Sequence, residues 1–189
     1  MARRIAALLR HGDYRQLPGA PSAHPPFPLT GTGEQQASEA AALLADDINE
    51  HGWQLNSVID SSCLLRGWQT ARLMSEQLQR LLDTACEVES FPALAERGLG
   101  SAANLTVAQI EAVVEADPRY PPLPATWKSD SHFCLPLQGA ESLMQAGERV
   151  ARHLRERMAM HGDVAHDRIK LFVGHGAAFR HAACVLGAM

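Results

Sequence analysis

At 189 residues and 46% hydrophobic, the chain is long enough to bury a full core, and one α/β domain spanning residues 1–189 is the economical reading. A formal net charge of −4 without any Lys/Arg block argues against a nucleic-acid or membrane surface and leaves a small or local partner. Cys63, Cys86, Cys134 and Cys184 show no metal-like spacing, and the N-terminus lacks a signal-peptide pattern. No apolar run approaches the roughly 20 residues of a bilayer span, so the expectation is a soluble cytoplasmic protein with reduced thiols.

Strand and helix periods alternate along the chain, as suits a sheet covered by helices on both faces. Arg4 to Arg10 reads as a buried first strand. The stretch from His11 to Leu29 carries Pro18, Gly19, Pro21, Pro25, Pro26 and Pro28 and must be loop. Thr30 or Thr32 then caps a helix with Ala37, Ala41, Leu44 and Ile48 on one face, ending near His51-Gly52. Leu55 to Asp60 is the second strand, after which Ser61-Ser62 caps a helix bearing Leu65, Ala71, Leu73, Leu78 and Leu82.

Cys86 to Val88 reads as a short third strand, with a loop from Phe91 to Asn104 and a helix from about Thr106 to Ala116. Pro121, Pro122, Pro124 and Pro136 mark residues 118–138 as a covering loop. A helix over Glu141 to Met160, a strand ending at Gly174 and a last helix from about Ala177 complete the order.

Two apolar runs end in the same way. Ile5 to Leu9 leads into Arg10-His11-Gly12, and Ile169 to Val173 leads through Gly174 into His175-Gly176. Two histidines at the ends of strands suit one site in which one acts as a nucleophile. A histidine attacking phosphorus must be neutral at the attacking nitrogen, and the phosphoryl oxygens need fixed cationic donors. Arginine fits best, because its planar fork binds two oxygens and stays charged. Arg10 and Arg66 are the candidates. An acid is also needed for the leaving oxygen, and Glu96, in a loop after the third strand, is the choice.

These residues resemble the histidine phosphatase superfamily in its phosphoglycerate-mutase-like branch. The resemblance is carried by Leu9-Arg10-His11-Gly12; Pro28-Leu29-Thr30 with Gly33 and Gln36-Ala37; and Ser61-Ser62 with Arg66 and Gln69-Thr70-Ala71. It continues through Leu94-x-Glu96, Gly139-Ala140-Glu141-Ser142 with Arg149 beyond, and Val173-Gly174-His175-Gly176. It implies a three-layer α/β/α sandwich with a mostly parallel central sheet and a site at the carboxyl ends of the strands. It also implies a phosphohistidine on His11, proton donation by Glu96, and a phosphoryl group held by Arg10, Arg66, His175 and Gly176, with no metal or cofactor.

Several positions depart from the mutase pattern. Leu17 stands where mutase-type members carry Asn, with Gln16 one residue earlier, and Asp13-Tyr14 is closer to the small phosphatases. The expectation is therefore a phosphatase acting on a phosphorylated small molecule or phosphoprotein; the alternatives are a mutase-type phosphotransferase or a weakly active phospho-ligand-binding module. Relatives usually continue into another strand beyond the second His-Gly, so a C-terminal strand is expected to be missing or truncated at Met189. Glu141 reads equally as structural or catalytic, since a helix start favours a Glu that could anchor Arg149 or Arg10, and it is left out of the catalytic set. His24, His51, His132, His153, His161 and His166 read as surface or helix-end residues, and His181 as facing away from the site. The loops from Asp13 to Pro28 and Pro118 to Gln138 are expected to rim the substrate pocket.

Overall fold

The computed structural model describes residues 2–21, 24–160 and 165–187. His161 lies outside them. Strand β1, Arg4–Arg10, runs into a loop that ends at Thr30, the N-cap of helix α1, Gly31–His51. Thr30 is chosen over Thr32 because its hydroxyl accepts the Gly33 N–H at 3.1 Å, and Gly52 closes the helix in the left-handed conformation. The second apolar run divides into β2, Gln54–Leu55, and β3, Val58–Ser62. Between them Asn56 turns its side chain back to accept the Val58 N–H at 2.9 Å, which interrupts the strand.

Helix α2, Leu65–Leu82, follows, then β4, Glu87–Phe91, two single 3₁₀ turns, and α3, Val107–Glu115. The chain ends with α4, Leu143–Ala159, β5, Arg168–Gly174, and α5, Gly176–Leu186. Thr106 and Ser142 open α3 and α4 with complete capping boxes, paired with Gln109 and Gln145.

All strand pairings between these elements are parallel, in the order β1-β5-β3-β4, with β2 also beside β5. Helices α1 and α2 bury Ala37, Ala41, Ala71, Met74 and Leu78 against Ile59, Leu171 and Val173 on one face. On the other face α4 and α5 bury Ala146, Val150, Leu154, Ala178 and Ala182 against Phe172. This is the expected three-layer α/β/α sandwich.

Two local expectations are corrected. Strand β1 is not buried, because β5 is its one partner among the described residues; its positions alternate between exposed and half-buried, and Leu8 is 38% exposed. Ser61 and Ser62 do not cap α2, since both are still in β3 and the N-cap is Leu64, whose side chain cannot accept a hydrogen bond.

Candidate active site

The parallel register pairs Arg10 with Gly174, so His11 and His175 leave neighbouring strands at the same level. Their ring centroids are 4.9 Å apart. The His11 N–H donates to Gly174 O at 3.0 Å, extending the ladder by one residue and fixing where the imidazole starts. The loop behind is equally constrained. Gly12 N donates to Thr70 Oγ1 at 3.1 Å, Asp13 N to Gln36 Oε1 at 2.8 Å, and Thr30 Oγ1 to Asp13 Oδ2 at 2.7 Å. A Cβ at Gly12 would collide with the Gly33 carbonyl, and one at Gly33 with the Asp13 carbonyl, so two glycines let the loop lie against the start of α1.

The protonation state of His11 follows from its contacts. Its Nδ1 lies 2.7 Å from the Gly12 carbonyl, which can only accept, so the ring proton sits on Nδ1. Nε2 therefore carries the lone pair, and Arg66 Nε donates to it at 3.3 Å. Burial holds the imidazole neutral and lowers its pKa to about 4, against the raising effect of the Gly12 carbonyl; the charges of Arg66 and Arg10 lower it further.

Arg66 sits in the first turn of α2, buried at 2% exposure, and spans both histidines. Its Nη2 lies 3.4 Å from His175 Nδ1, and its guanidinium carbon lies 4.2 Å from the Tyr14 ring centroid. Tyr14 thus covers one guanidinium face and leaves the edge N–H groups directed inward. His175 is fully buried, with Nε2 2.8 Å from Ser62 Oγ. Burial, then the positive charge of Arg66, pushes its pKa well below the usual histidine value. It is also the N-cap of α5 and makes no side-chain cap bond, so the positive end of that helix faces the site without a side-chain cap.

A cavity of about 520 Å³ opens above these groups, lined by Arg10, His11, Tyr14, Gln16, Ala20, Glu96, Gly176, Ala177 and Arg180. Arg10, His11, Glu96 and Gly176 line it directly, while Arg66 and His175 lie beneath and reach it through His11. All six residues singled out in the sequence are therefore brought together. Gly176 lies against the Arg10 side chain, whose Cδ would be in ordinary van der Waals contact, at 3.4 Å, with a Cβ placed there. Gln16 lines the cavity where Leu17 does not.

Glu96 is held by its surroundings. Its Oε1 accepts the Arg97 N–H at 2.8 Å, and the loop around it is clamped from α4. Arg149 Nη1 donates to Ala93 O at 2.8 Å and Ala95 O at 3.1 Å. Arg149 Nη2 donates to Glu141 Oε1 at 2.5 Å, and the same oxygen accepts the Gly98 N–H at 2.9 Å. Of the two roles open to Glu141 in the sequence, its contacts support the structural one, with Arg149 and not Arg10 as its partner.

Other expectations change. Residues 118–138 do not line the cavity; they fold with α3 into a separate cluster around Trp127 and Leu135, and Trp127 Nε1 donates to Glu111 at 3.1 Å. His153 is buried, not a surface residue, and bonds Asp60 Oδ2 at 2.9 Å. His24 is half-buried, with Nε2 3.2 Å from Arg97 O. His181 contacts Ser131 Oγ at 3.1 Å and, as expected, lies outside the cavity lining.

Ser62, Thr70 and Arg180 are contributors that sequence reasoning missed. Arg180 carried a signal in its spacing, four residues after Gly176 and so on the same helix face.

The model of the histidine phosphatase superfamily, branch 1, matches residues 6–189. No curated protein sequence matches significantly. Among solved structures, the mycobacterial glucosyl-3-phosphoglycerate phosphatase is 25% identical over 95% of this chain and 78% of its own, with a TM-score of 0.69. A phosphoserine phosphatase from Entamoeba histolytica shares the fold at 20% identity, over 98% of this chain and 81% of its own, with a TM-score of 0.64. A phosphoglycerate mutase from Bacillus anthracis does so at 14% identity, over 97% and 79%, with a TM-score of 0.70.

Proposed function

The chain belongs to the histidine phosphatase superfamily, branch 1, and from that premise we propose that it hydrolyses a phosphomonoester by in-line transfer of the phosphoryl group to His11 Nε2, followed by attack of water. The observation that carries this reading is the fixed tautomer of His11. With Nδ1–H given to Gly12 O at 2.7 Å, the lone pair on Nε2 is the one available for attack. The lowered pKa keeps that lone pair unprotonated at neutral pH, where its partner is the Arg66 Nε–H.

The remaining residues take roles that their positions support. As Nε2 bonds to phosphorus and the ester oxygen leaves, the N–H groups of Arg66 that face the two imidazoles turn to the equatorial phosphoryl oxygens, with Arg10 beside them. Glu96, on the cavity wall, donates its proton to the leaving oxygen and then takes one from the water that attacks the phosphohistidine. His175 and the start of α5 at Gly176 complete the phosphoryl cradle. In the proposed transfer the positive charge at the phosphoryl oxygens comes from the arginines.

The two solved phosphatases above act on phosphorylated small molecules, and a small phosphorylated metabolite is the substrate class favoured here. The test is turnover of p-nitrophenyl phosphate in the presence of a chelator, with trapping of a ³²P-labelled acid-labile phosphoenzyme. Wild type should release inorganic phosphate and form the labelled species, and His11→Ala should do neither. Undiminished turnover by His11→Ala would end the proposal. A product that stays phosphorylated and depends on a bisphosphate primer would point to a mutase instead.

A further inference from the structure

The catalytic reading accounts for Arg10, His11 and Glu96 on the cavity wall but leaves Arg180 without a task. Arg180 lies in α5, exposed, and contributes to the lining of the same 520 Å³ cavity. Among the described residues it forms no salt bridge, whereas Arg3, Arg72, Arg119, Arg149 and Arg157 each have a carboxylate partner. Its place in the helix is also defined. It follows Gly176 by four residues, which puts it on the same helix face about 6 Å further along the axis from the phosphoryl cradle. The cavity is much larger than a phosphoryl group, so the part of the substrate that leaves is enclosed beside this cation. Gln16, on the opposite strand-end loop, is the other long polar side chain on the wall without a role in the chemistry.

We propose that Arg180, assisted by Gln16, binds a second anionic group on the leaving portion of the substrate, so that the preferred substrates are phosphomonoesters carrying a carboxylate or a further phosphate a few bonds from the scissile ester. The proposal rests on the phosphatase reading and narrows its substrate class. A guanidinium at that point forms a bidentate pair with a carboxylate or phosphate and gives a neutral alcohol nothing. Glu96 is the one acidic side chain on the same wall, so a second anion without a dedicated cation would be opposed.

The experiment compares esters that differ only in the extra anion. O-phosphoserine and O-phosphoethanolamine differ by one carboxylate, and 3-phosphoglycerate and glycerol 3-phosphate do so as well. Fructose 1,6-bisphosphate against fructose 6-phosphate tests a second phosphate. Wild type should favour the more anionic member of at least one pair in kcat/KM. In Arg180→Gln that preference should fall about tenfold or more, the value of a charge-assisted hydrogen bond, mainly through KM; Arg180→Lys should retain part of it. Gln16→Ala should lower the same preference by less.

Equal kcat/KM for all pairs in wild type, or a preference untouched by Arg180→Gln, would overturn the assignment. Failure of the phosphatase reading has a different signature. It is the absence of turnover for every ester, including p-nitrophenyl phosphate; in that case calorimetric binding of the same pairs to wild type and Arg180→Gln still decides whether Arg180 selects the anion.

Discussion

Ser62 Oγ lies 2.8 Å from His175 Nε2, on the side of the imidazole away from Arg66, and the same oxygen accepts the Leu64 N–H at 3.2 Å. His175 is neutral, so it carries one ring proton, and Arg66, which can only donate, decides which nitrogen keeps it. With Arg66 donating toward Nδ1, the proton sits on Nε2 and the serine accepts. Ser62 thus holds the buried Nε2–H while Arg66 meets the opposite ring nitrogen, so the imidazole is engaged at both nitrogens.

We therefore expect Ser62→Ala to lower kcat about tenfold or more while leaving KM within about twofold, because it strands a buried ring nitrogen at a cost of roughly 1–3 kcal/mol. Ser62→Thr should restore most of the activity. Steady-state kinetics on an aryl phosphate, with the fold monitored by circular dichroism, give the result; an unaltered kcat in Ser62→Ala would remove the hydroxyl from the mechanism.

His11 should remain neutral well into acid. Its pKa of about 4 lies below the ordinary value of 6.5, so an NMR titration of the His11 ring should show protonation near pH 4. The sign for stability follows. The unfolded chain takes up this proton first, so the contribution of His11 to stability is complete above pH 6.5 and is lost as pH falls toward 4. Protonation of His11 near pH 6.5 in the folded protein would contradict the burial argument.

Much of this site was legible in the sequence because its chemistry depends on local signals. Arg10-His11-Gly12 and His175-Gly176 each follow an apolar run, and parallel pairing of two such runs places their ends together whatever the rest of the fold does. What was not legible depends on contacts distant in sequence. Ser62 and His175 are 113 residues apart, and a Ser-Ser before a helix carries the signal of an N-cap. His153 looked like a helix-surface histidine because its partner, Asp60, lies 93 residues earlier. That β1 has one partner among the described residues was hidden for a related reason: Ile5 to Leu9 has the composition of a central strand, and composition does not show how many neighbours a strand has.

The clamp on the Glu96 loop should be kinetically visible. Arg149 and Glu141 hold the carbonyls of Ala93 and Ala95 and the amide of Gly98 without lining the cavity, so they act by positioning. Arg149→Met should reduce kcat about tenfold on an ester with a poor leaving group, where the acid matters most. It should do much less on p-nitrophenyl phosphate, whose leaving group needs little protonation. Equal losses on both substrates would mean that the variant disturbs the whole site and not the acid alone.

The strongest stability effect is expected away from the site, at Asp60. This carboxylate is fully buried in β3 and contacts Lys170 Nζ at 2.6 Å, Arg157 Nε at 2.8 Å and His153 Nε2 at 2.9 Å. Burial alone would raise its pKa, but the hydrogen bonds from His153, Arg157 and Lys170 outweigh that and lower it. Its stabilising contribution is therefore present above the ordinary carboxylate pKa and lost as pH falls below it. Asp60→Asn removes the charge while leaving Lys170, itself 1% exposed, with neutral acceptors in place of the carboxylate, namely the amide oxygen at position 60 and the Val58 carbonyl at 2.8 Å. Breaking a buried pair from one side costs about 3–5 kcal/mol, because the desolvated partner charge is left uncompensated. Urea unfolding should show that loss in Asp60→Asn, and adding Lys170→Met should recover part of it, since the double variant no longer buries a lone ammonium. If the double variant is less stable than Asp60→Asn alone, the attraction between the two charges is not what Asp60 contributes, and its bonds to His153 and Arg157 must carry the effect.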